Sequence, residues 1–338
     1  MALEYTRSEV KDRAREWRGA CNVTLPSFTT DFKSLNAEGI AHDVRHAASQ
    51  GFWGTLVAGE SGTNSVDEYI EFIEIVADAA PTGFRIVTHL SFDTLEETER
   101  VAQASADIGV EAALLSYPPS FRPNSGSEIT EWTRTVSEKS DLALILFAVM
   151  TWGFKPLHPA GFPMDAVEEM AKLDTAAAIK TEIGGGAMTA AFHEVHRRVG
   201  DLVVVENPME SQVPGLYDHY GMNWIGTSAY ESFGDRVPQW FALLRDGKWD
   251  EAMDIFWSYQ SARDAKGAFH HTFAGAGLIH RVGWKYLSWL NGYNGGLLRM
   301  PTMRLDPGQM KSLRNGLAAS GYDLPTSDDD FYVGRNPA

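Results

Sequence analysis

The chain reads as an α/β protein of the TIM (β/α)8 barrel class with a C-terminal helical extension, and three observations predict it. Short apolar runs alternate eight times with stretches of helical periodicity between Asn22 and Asp246. The runs are nearly continuous in apolar residues, as strands of a parallel sheet are when both faces are covered. Beyond Trp249 only helical patterns follow. Eight strand–helix units favour a closed barrel over an open sheet.

The elements follow in order. Residues 22–25 form a short apolar strand closed by Pro26. A helix over 35–49 puts Ile40, Val44, Ala47 and Ala48 on one face. The strand 54–58 leads to a helix over 65–80, with Tyr69, Phe72, Ile73 and Val76 at helical spacing. Ser65 and Glu68 make a capping box there: Ser65 accepts an orphan N–H and Glu68 reaches back. The later units are 84–88 with 94–108, 112–116 with 128–137, 142–148 with 165–173, 176–180 with 187–198, 202–205 with 213–220, and 224–228 with 236–246. The expected organisation is an N-terminal helical segment (1–20), the barrel (21–246), a C-terminal helical region (247–321) and a polar tail (322–338). The tail carries Pro325 and three consecutive aspartates, and it reads as extended or loose.

Composition narrows the function. A chain of 338 residues that is 44% hydrophobic and 11% aromatic builds a large core and is not disordered. The formal net charge of −16 disfavours a phosphate backbone as partner. No apolar run reaches the ~20 residues of a membrane helix. Residues 1–19 are charged throughout and lack a signal-peptide core, so a cytoplasmic protein is expected. One cysteine, Cys21, allows no intrachain disulfide and no multi-cysteine metal centre. An enzyme acting on a small molecule is the leading class.

Sites in this fold gather at the C-terminal ends of the strands. Lys180 closes an otherwise apolar run, Ala-Ala-Ala-Ile-Lys. Burial disfavours the charged form of an amine, and a neutral amine can attack a ketone or aldehyde to form a Schiff base. The alternative is a lysine paired with Glu182, Glu206 or Glu60 for structure alone. Glu182 points the same way as Lys180 if the strand continues, and either orients the amine, shuttles a proton or simply pairs with it. Glu206 ends the seventh strand, where a carboxylate is rarely fully buried unless it is paired or functional. His89 ends the third strand, as a general acid/base or as a core-edge ring bonded to a carbonyl. Tyr230 is a candidate hydroxyl donor or a ring packed at the rim. Trp152 can stack on an aromatic or sugar ring. Trp249, Trp257, Trp284 and Trp289 are spaced for helix packing or oligomer contact. Glu182, Glu206, His89 and Glu231 have no metal-ligand spacing, so neither metal nor other cofactor is expected.

In their order and spacing these pieces resemble the dihydrodipicolinate synthase / N-acetylneuraminate lyase family of class I aldolases, over about 22–321. The run Asn36-Ala-Glu-Gly-Ile40 resembles the start of the first barrel helix. Gly59-Glu60-Ser61 resembles the end of the family's G-T-T-G-E segment. Ile179-Lys180 with the glycines 184–186 resembles the Schiff-base lysine strand and its loop, Gly226-Thr-Ser228 the eighth strand, and Arg299-Met-Pro301 the C-terminal region. The resemblance implies that Lys180 is the Schiff-base lysine and that the protein is a homotetramer or homodimer. It also implies a carbonyl substrate lying near Gly59, Tyr117, Phe147, Trp152, Gly226 and Ser228.

The departures are as informative. The family's two threonines before Gly-Glu, which hold a 2-oxo-acid carboxylate, fall here on Val57 and Ala58. Its strand-five tyrosine falls on Phe147, and a further tyrosine falls on Pro118, beside Tyr117. None of these four side chains donates a hydrogen bond. The leading reading is a Schiff-base lyase, of aldolase or hydratase-aldolase type, with an altered substrate and proton relay. A carbonyl substrate other than a 2-oxo acid, sugar-like or aromatic, is the second reading. A metal-dependent lyase or isomerase and a binding-only barrel are the remaining ones.

Overall fold

The computed structural model describes residues 5–274 and 279–338. Residues 1–4 of the N-terminal segment and 275–278 of the C-terminal region lie outside the described residues. The elements in chain order are α1 (Val10–Arg15), β1 (Gly19–Thr24), α2 (Ala37–Ser49), β2 (Gly54–Val57), α3 (Val66–Ala79), β3 (Arg85–Leu90), α4 (Leu95–Ile108), β4 (Ala112–Leu115), α5 (Gly126–Lys139), β5 (Ala143–Val149), α6 (Met164–Ala171), β6 (Ala176–Glu182), α7 (Met188–Val199), β7 (Val204–Glu206), α8 (Val213–Tyr220), β8 (Trp224–Ile225) and α9 (Arg236–Arg245). They are followed by α10 (Trp249–Ser258), α11 (Gln260–Ala274), α12 (Arg281–Leu290) and α13 (Pro307–Ala319). Eight strands alternating with helices, then helices alone, make the expected TIM-barrel class with a helical extension. The chain falls into two compact units, residues 1–18 with 85–226 and residues 19–84 with 227–338.

In the first unit β3 to β7 run parallel, side by side. Their register aligns His89, Leu114, Ile145, Ala178 and Val204 in one row across the sheet. Two residues further along, Phe147, Lys180 and Glu206 form a second row. Side chains repeat every two residues along a strand, so both rows share a face. A register shift sets this alignment: Leu144 pairs with Ala176, but Ile145 pairs with Ala178. Without that extra residue on β6, Lys180 would lie beside Ala148 rather than Phe147. Bulges re-aim side chains in this way, often beside functional sites.

The strand ends differ from the sequence expectation where a polar residue was taken as a stop. β6 continues to Glu182 and β3 to Leu90, so Glu182 and His89 lie within strands. β8 is shorter than expected, with only Trp224 and Ile225 in the ladder. On the other face Thr88 bonds Ser105 of α4, their hydroxyl oxygens 2.9 Å apart. The N-terminal helix α1 buries Val10 and Ala14, and Lys11 donates to the Ala171 carbonyl at 2.7 Å.

In the second unit β1 pairs in parallel with β2. Asn36 caps α2 by accepting the Gly39 N–H at 3.0 Å, and Ser65 caps α3 by accepting the Glu68 N–H at 3.2 Å. The predicted capping box does not close. Glu68 Oε2 accepts the Asn64 N–H at 2.7 Å, and both its oxygens lie against Arg299 Nη1 at 2.8 and 2.7 Å. A charged partner outweighs one more backbone N–H. Helices α11 and α13 approach closely at Gly316, where a Cβ would stand 2.4 Å from that of Ala265. Of the four tryptophans expected in packing, Trp289 is buried, whereas Trp249 and Trp257 are exposed.

The tail is docked, not loose. Phe331 is fully buried against Tyr286 and Trp289, with ring centroids 5.1 and 5.7 Å away. Arg335 donates to the carbonyls of Tyr293 and Trp289 at 3.0 and 2.9 Å, and the Asn336 N–H donates to Asn294 Oδ1 at 2.9 Å. Its polar composition masks one large aromatic anchor and a set of donors matched to backbone acceptors. No helix among the described residues is long and apolar enough to cross a membrane.

Two outcomes follow for stability. Phe331→Ala leaves a cavity beside Tyr286 and Trp289 and costs about 3–5 kcal/mol, read from the denaturant midpoint. Glu231 accepts the Val23 N–H at 3.3 Å, and burial raises its carboxyl group to about 7, opposed by Lys266. A raised value means that the folded state holds the proton more tightly. The stability from that proton is complete below the ordinary carboxylate range and is lost as pH rises through about 7. Between about pH 5 and pH 8 the wild type therefore loses more stability than Glu231→Gln, which keeps an acceptor and cannot ionise. Parallel pH–stability curves for the two proteins would contradict this.

Candidate active site

Lys180 is 5% exposed near the end of β6. Its Nζ lies 3.0 Å from Glu182 Oε1 and 4.4 Å from the centre of the Phe147 ring. Glu182 reaches it because β6 continues for two more residues, and the side chain of Glu182 is 18% exposed at the rim of the strand. The ring face of Phe147 attracts the ammonium through its quadrupole, by about 0.5–2 kcal/mol. The expected ion pair with Glu182 is thus present, held by a partner at the edge of the solvent.

Glu206, the register neighbour of Lys180, is fully buried. Burial raises its carboxyl group well above the usual range; Lys180 and a hydrogen bond from the Gly226 N–H oppose this, and Glu182 reinforces it. The Gly226 N–H donates to Oε2 at 3.3 Å, while Oε1 is buried with no hydrogen-bond partner among the described residues. That upward push favours the protonated form and suits the group to give a proton, and one of its oxygens is unused. Gly226 therefore holds Glu206; its N–H is not left over for a substrate.

His89 and Ser116 form a second pair. His89 Nε2 lies 2.7 Å from Ser116 Oγ, and both residues are buried. Ser116 stands two residues beyond Leu114, so it continues the row of Phe147, Lys180 and Glu206 onto the end of β4. Sequence reading took Ser116 only as the end of a strand; stepping by two from Leu114 is the signal that finds it.

Tyr117 is not brought to this group. Its hydroxyl bonds Thr133 of α5 at 2.9 Å, and its ring packs among Phe121, Trp132, Phe154 and Phe162. One residue after Ser116, it faces the helices. Trp152 does reach the group: its Nε1 donates to the Phe147 carbonyl at 2.7 Å, and its ring stands edge-on to Phe147 at 5.6 Å. It fixes the Phe147 ring beneath the amine.

The second unit holds the other expected residues. Gly59 lies against the ring of Tyr69, where a Cβ would come within 1.9 Å; close packing accounts for this glycine. Glu60 pairs with Arg281 at 3.0 Å. Ser228 is half-buried, and its carbonyl accepts the Tyr230 N–H at 2.7 Å. Tyr230 is buried in the turn Tyr230–Phe233. Val57 and Ala58 are fully buried apolar residues at the end of β2, and the Val57 carbonyl accepts the Tyr69 hydroxyl at 2.7 Å.

The chain is 30% identical over 166 residues to 4-hydroxy-tetrahydrodipicolinate synthase of Methanothrix thermoacetophila, a match spanning 47% of this chain and only 54% of that relative. It is 22% identical over 307 residues to the enzyme of the same name from Methanosphaerula palustris, covering 88% of this chain and 98% of the relative. The crystal structure of N-acetylneuraminate lyase from Fusobacterium nucleatum superposes with a TM-score of 0.72 at 17% identity, covering 89% of this chain and 98% of that one, a likeness of fold. The model of the Dihydrodipicolinate synthetase family matches residues 18–260. The chain belongs to the Dihydrodipicolinate synthetase family.

Proposed function

We propose that the protein is a Schiff-base lyase, of aldolase or hydratase-aldolase type, in which Lys180 attacks the carbonyl of a small 2-oxo acid. The observation that carries this reading is the buried amine 3.0 Å from Glu182 Oε1, beside the enclosed carboxyl group of Glu206. Glu182 takes a proton from Nζ, and the neutral amine adds to the carbonyl carbon to give a carbinolamine. Glu206 gives its proton to the departing hydroxyl, water leaves, and the iminium remains beside the new carboxylate. The iminium draws electrons from the adjacent C–C or C–H bond, which breaks to give an enamine; the reverse sequence makes the bond.

The acid and the base differ by environment. Glu182 touches solvent and works as a carboxylate, while Glu206 is enclosed and works as an acid, the division of labour expected of a carboxyl pair in unlike surroundings. The substrate carbonyl meets the Phe147 and Trp152 rings, which favours an apolar or aromatic substituent. Val57 and Ala58 offer no side-chain donor for a carboxylate, and this keeps a sugar-like or aromatic carbonyl substrate as the second reading. The family resemblance implies a homotetramer or homodimer, and a cytoplasmic location is part of the proposed reading.

Borohydride reduction in the presence of pyruvate, followed by peptide mass analysis, is expected to fix the reduced adduct on Lys180. Trapping with an aromatic aldehyde or glyceraldehyde but with no 2-oxo acid favours the second reading. No adduct with any of them rejects the Schiff base. Glu206→Gln removes the acid but keeps the acceptor for the Gly226 N–H. It is expected to slow adduct formation by ~10²–10⁴-fold with folding intact, measured under single-turnover conditions.

A further inference from the structure

We infer that Ser116, with His89 behind it, is the proton relay at the carbon next to the iminium. This rests on the Schiff-base reading of Lys180. The hydroxyl that Phe147 lacks is supplied here by the neighbouring strand. Ser116 lies level with Phe147 and Lys180 on the same face, one strand spacing of ~4.8 Å from Phe147. The amine of Lys180 lies over the Phe147 ring, and Phe147 stands on the strand between that of Lys180 and the one Ser116 follows. A carbonyl carbon bonded to Nζ and the carbon beyond it therefore extend over Phe147, within the row that Ser116 ends.

His89 is placed to power that hydroxyl. Its Nε2 lies 2.7 Å from Ser116 Oγ, the spacing of a nucleophile and its base. It sits one register row further from the strand ends, so the serine separates it from the substrate. His89 is a positioning and proton-storing residue, while Ser116 touches the reacting carbon.

The step balances. Ser116 Oγ takes a proton from the carbon adjacent to the iminium as its own hydroxyl proton passes to His89 Nε2. The C–H electron pair becomes the carbon–carbon double bond, and the electrons of the C=N bond return to nitrogen. The iminium charge disappears and an imidazolium takes its place. Reprotonation of the enamine runs the same path backwards.

The test separates this relay from the Schiff base itself. Wild type, Ser116→Ala, Ser116→Thr and His89→Gln are incubated with pyruvate or 2-oxobutanoate in D2O. Deuterium uptake at C3 is followed by NMR, and borohydride adducts on Lys180 are weighed in parallel. The relay predicts a loss of exchange of ~10²–10⁴-fold in Ser116→Ala with the adduct still formed, recovery in Ser116→Thr, and a smaller loss in His89→Gln that lowers kcat without raising KM. Adducts with undiminished exchange in Ser116→Ala and His89→Gln overturn the relay and leave the Schiff base standing. No adduct in the wild type overturns the Lys180 reading and the relay with it.

Discussion

The arrangement depends on the register of three strands. A single extra residue on β6, between the partners of Leu144 and Ile145, places Lys180 beside Phe147 on β5, and the regular β6–β7 register places it beside Glu206. Register in a parallel sheet has little tolerance, because a slip of one residue turns every side chain to the other face. The sheet enforces it here with continuous apolar runs: Ala178, Ile179, Leu144, Ile145 and Val205 are all buried. The hydrophobic ladder thus fixes the amine to within a side chain's reach of both carboxyl groups.

The electrostatics follow from that placement. An enclosed lysine is costly unless it is paired. Lys180 meets the Glu182 side chain at the rim, the aromatic face of Phe147 and the enclosed carboxyl group of Glu206, which burial pushes toward its protonated form. Two carboxylates at full charge beside one amine would leave a net negative centre in a dry place. Burial of Glu206, which favours its protonated form, works against this and suits the acid role proposed for it. Glu182 is only part-buried, so moving off Lys180 would take it toward water and not strand a bare charge inside the protein.

The fold was legible because periodicity carries it. The eight apolar runs and the helical spacing of Tyr69, Phe72, Ile73 and Val76 have no other economical explanation, and the structure returns them with ends shifted by a few residues. What was not legible depends on distance along the chain. Arg299 draws Glu68 away from the predicted cap across more than two hundred residues, and Phe331 anchors a tail whose composition reads as solvated. In the site, Lys180 and Glu206 stand out as charges ending apolar runs, and Glu182 by its two-residue spacing from Lys180. Ser116 did not, because serine ends many strands. Tyr117 attracted attention by its chemistry, yet it falls one step out of phase and faces α5. Phase along a strand, rather than residue type, separates the two.

The same phase argument bears on what the site accepts. A tyrosine on strand five would hold its hydroxyl a full ring length from the backbone and fill the space over the strand ends. With phenylalanine there, that length remains but donates nothing, and the ring becomes a floor for Lys180, braced by Trp152 through the Phe147 carbonyl. A serine hydroxyl sits one bond beyond Cβ, close to its strand. A relay moved from the long residue to the short one acts on a carbon held lower and further toward β4. The substrate then lies across the aromatic floor instead of standing over it. Flat or apolar substituents fit that pose, because the rings bury them at no cost in unpaired polar groups. On the proposed reading, loss of the family's hydroxyls is a change in how the substrate lies, with the proposed covalent step at Lys180 kept where the sheet register puts it.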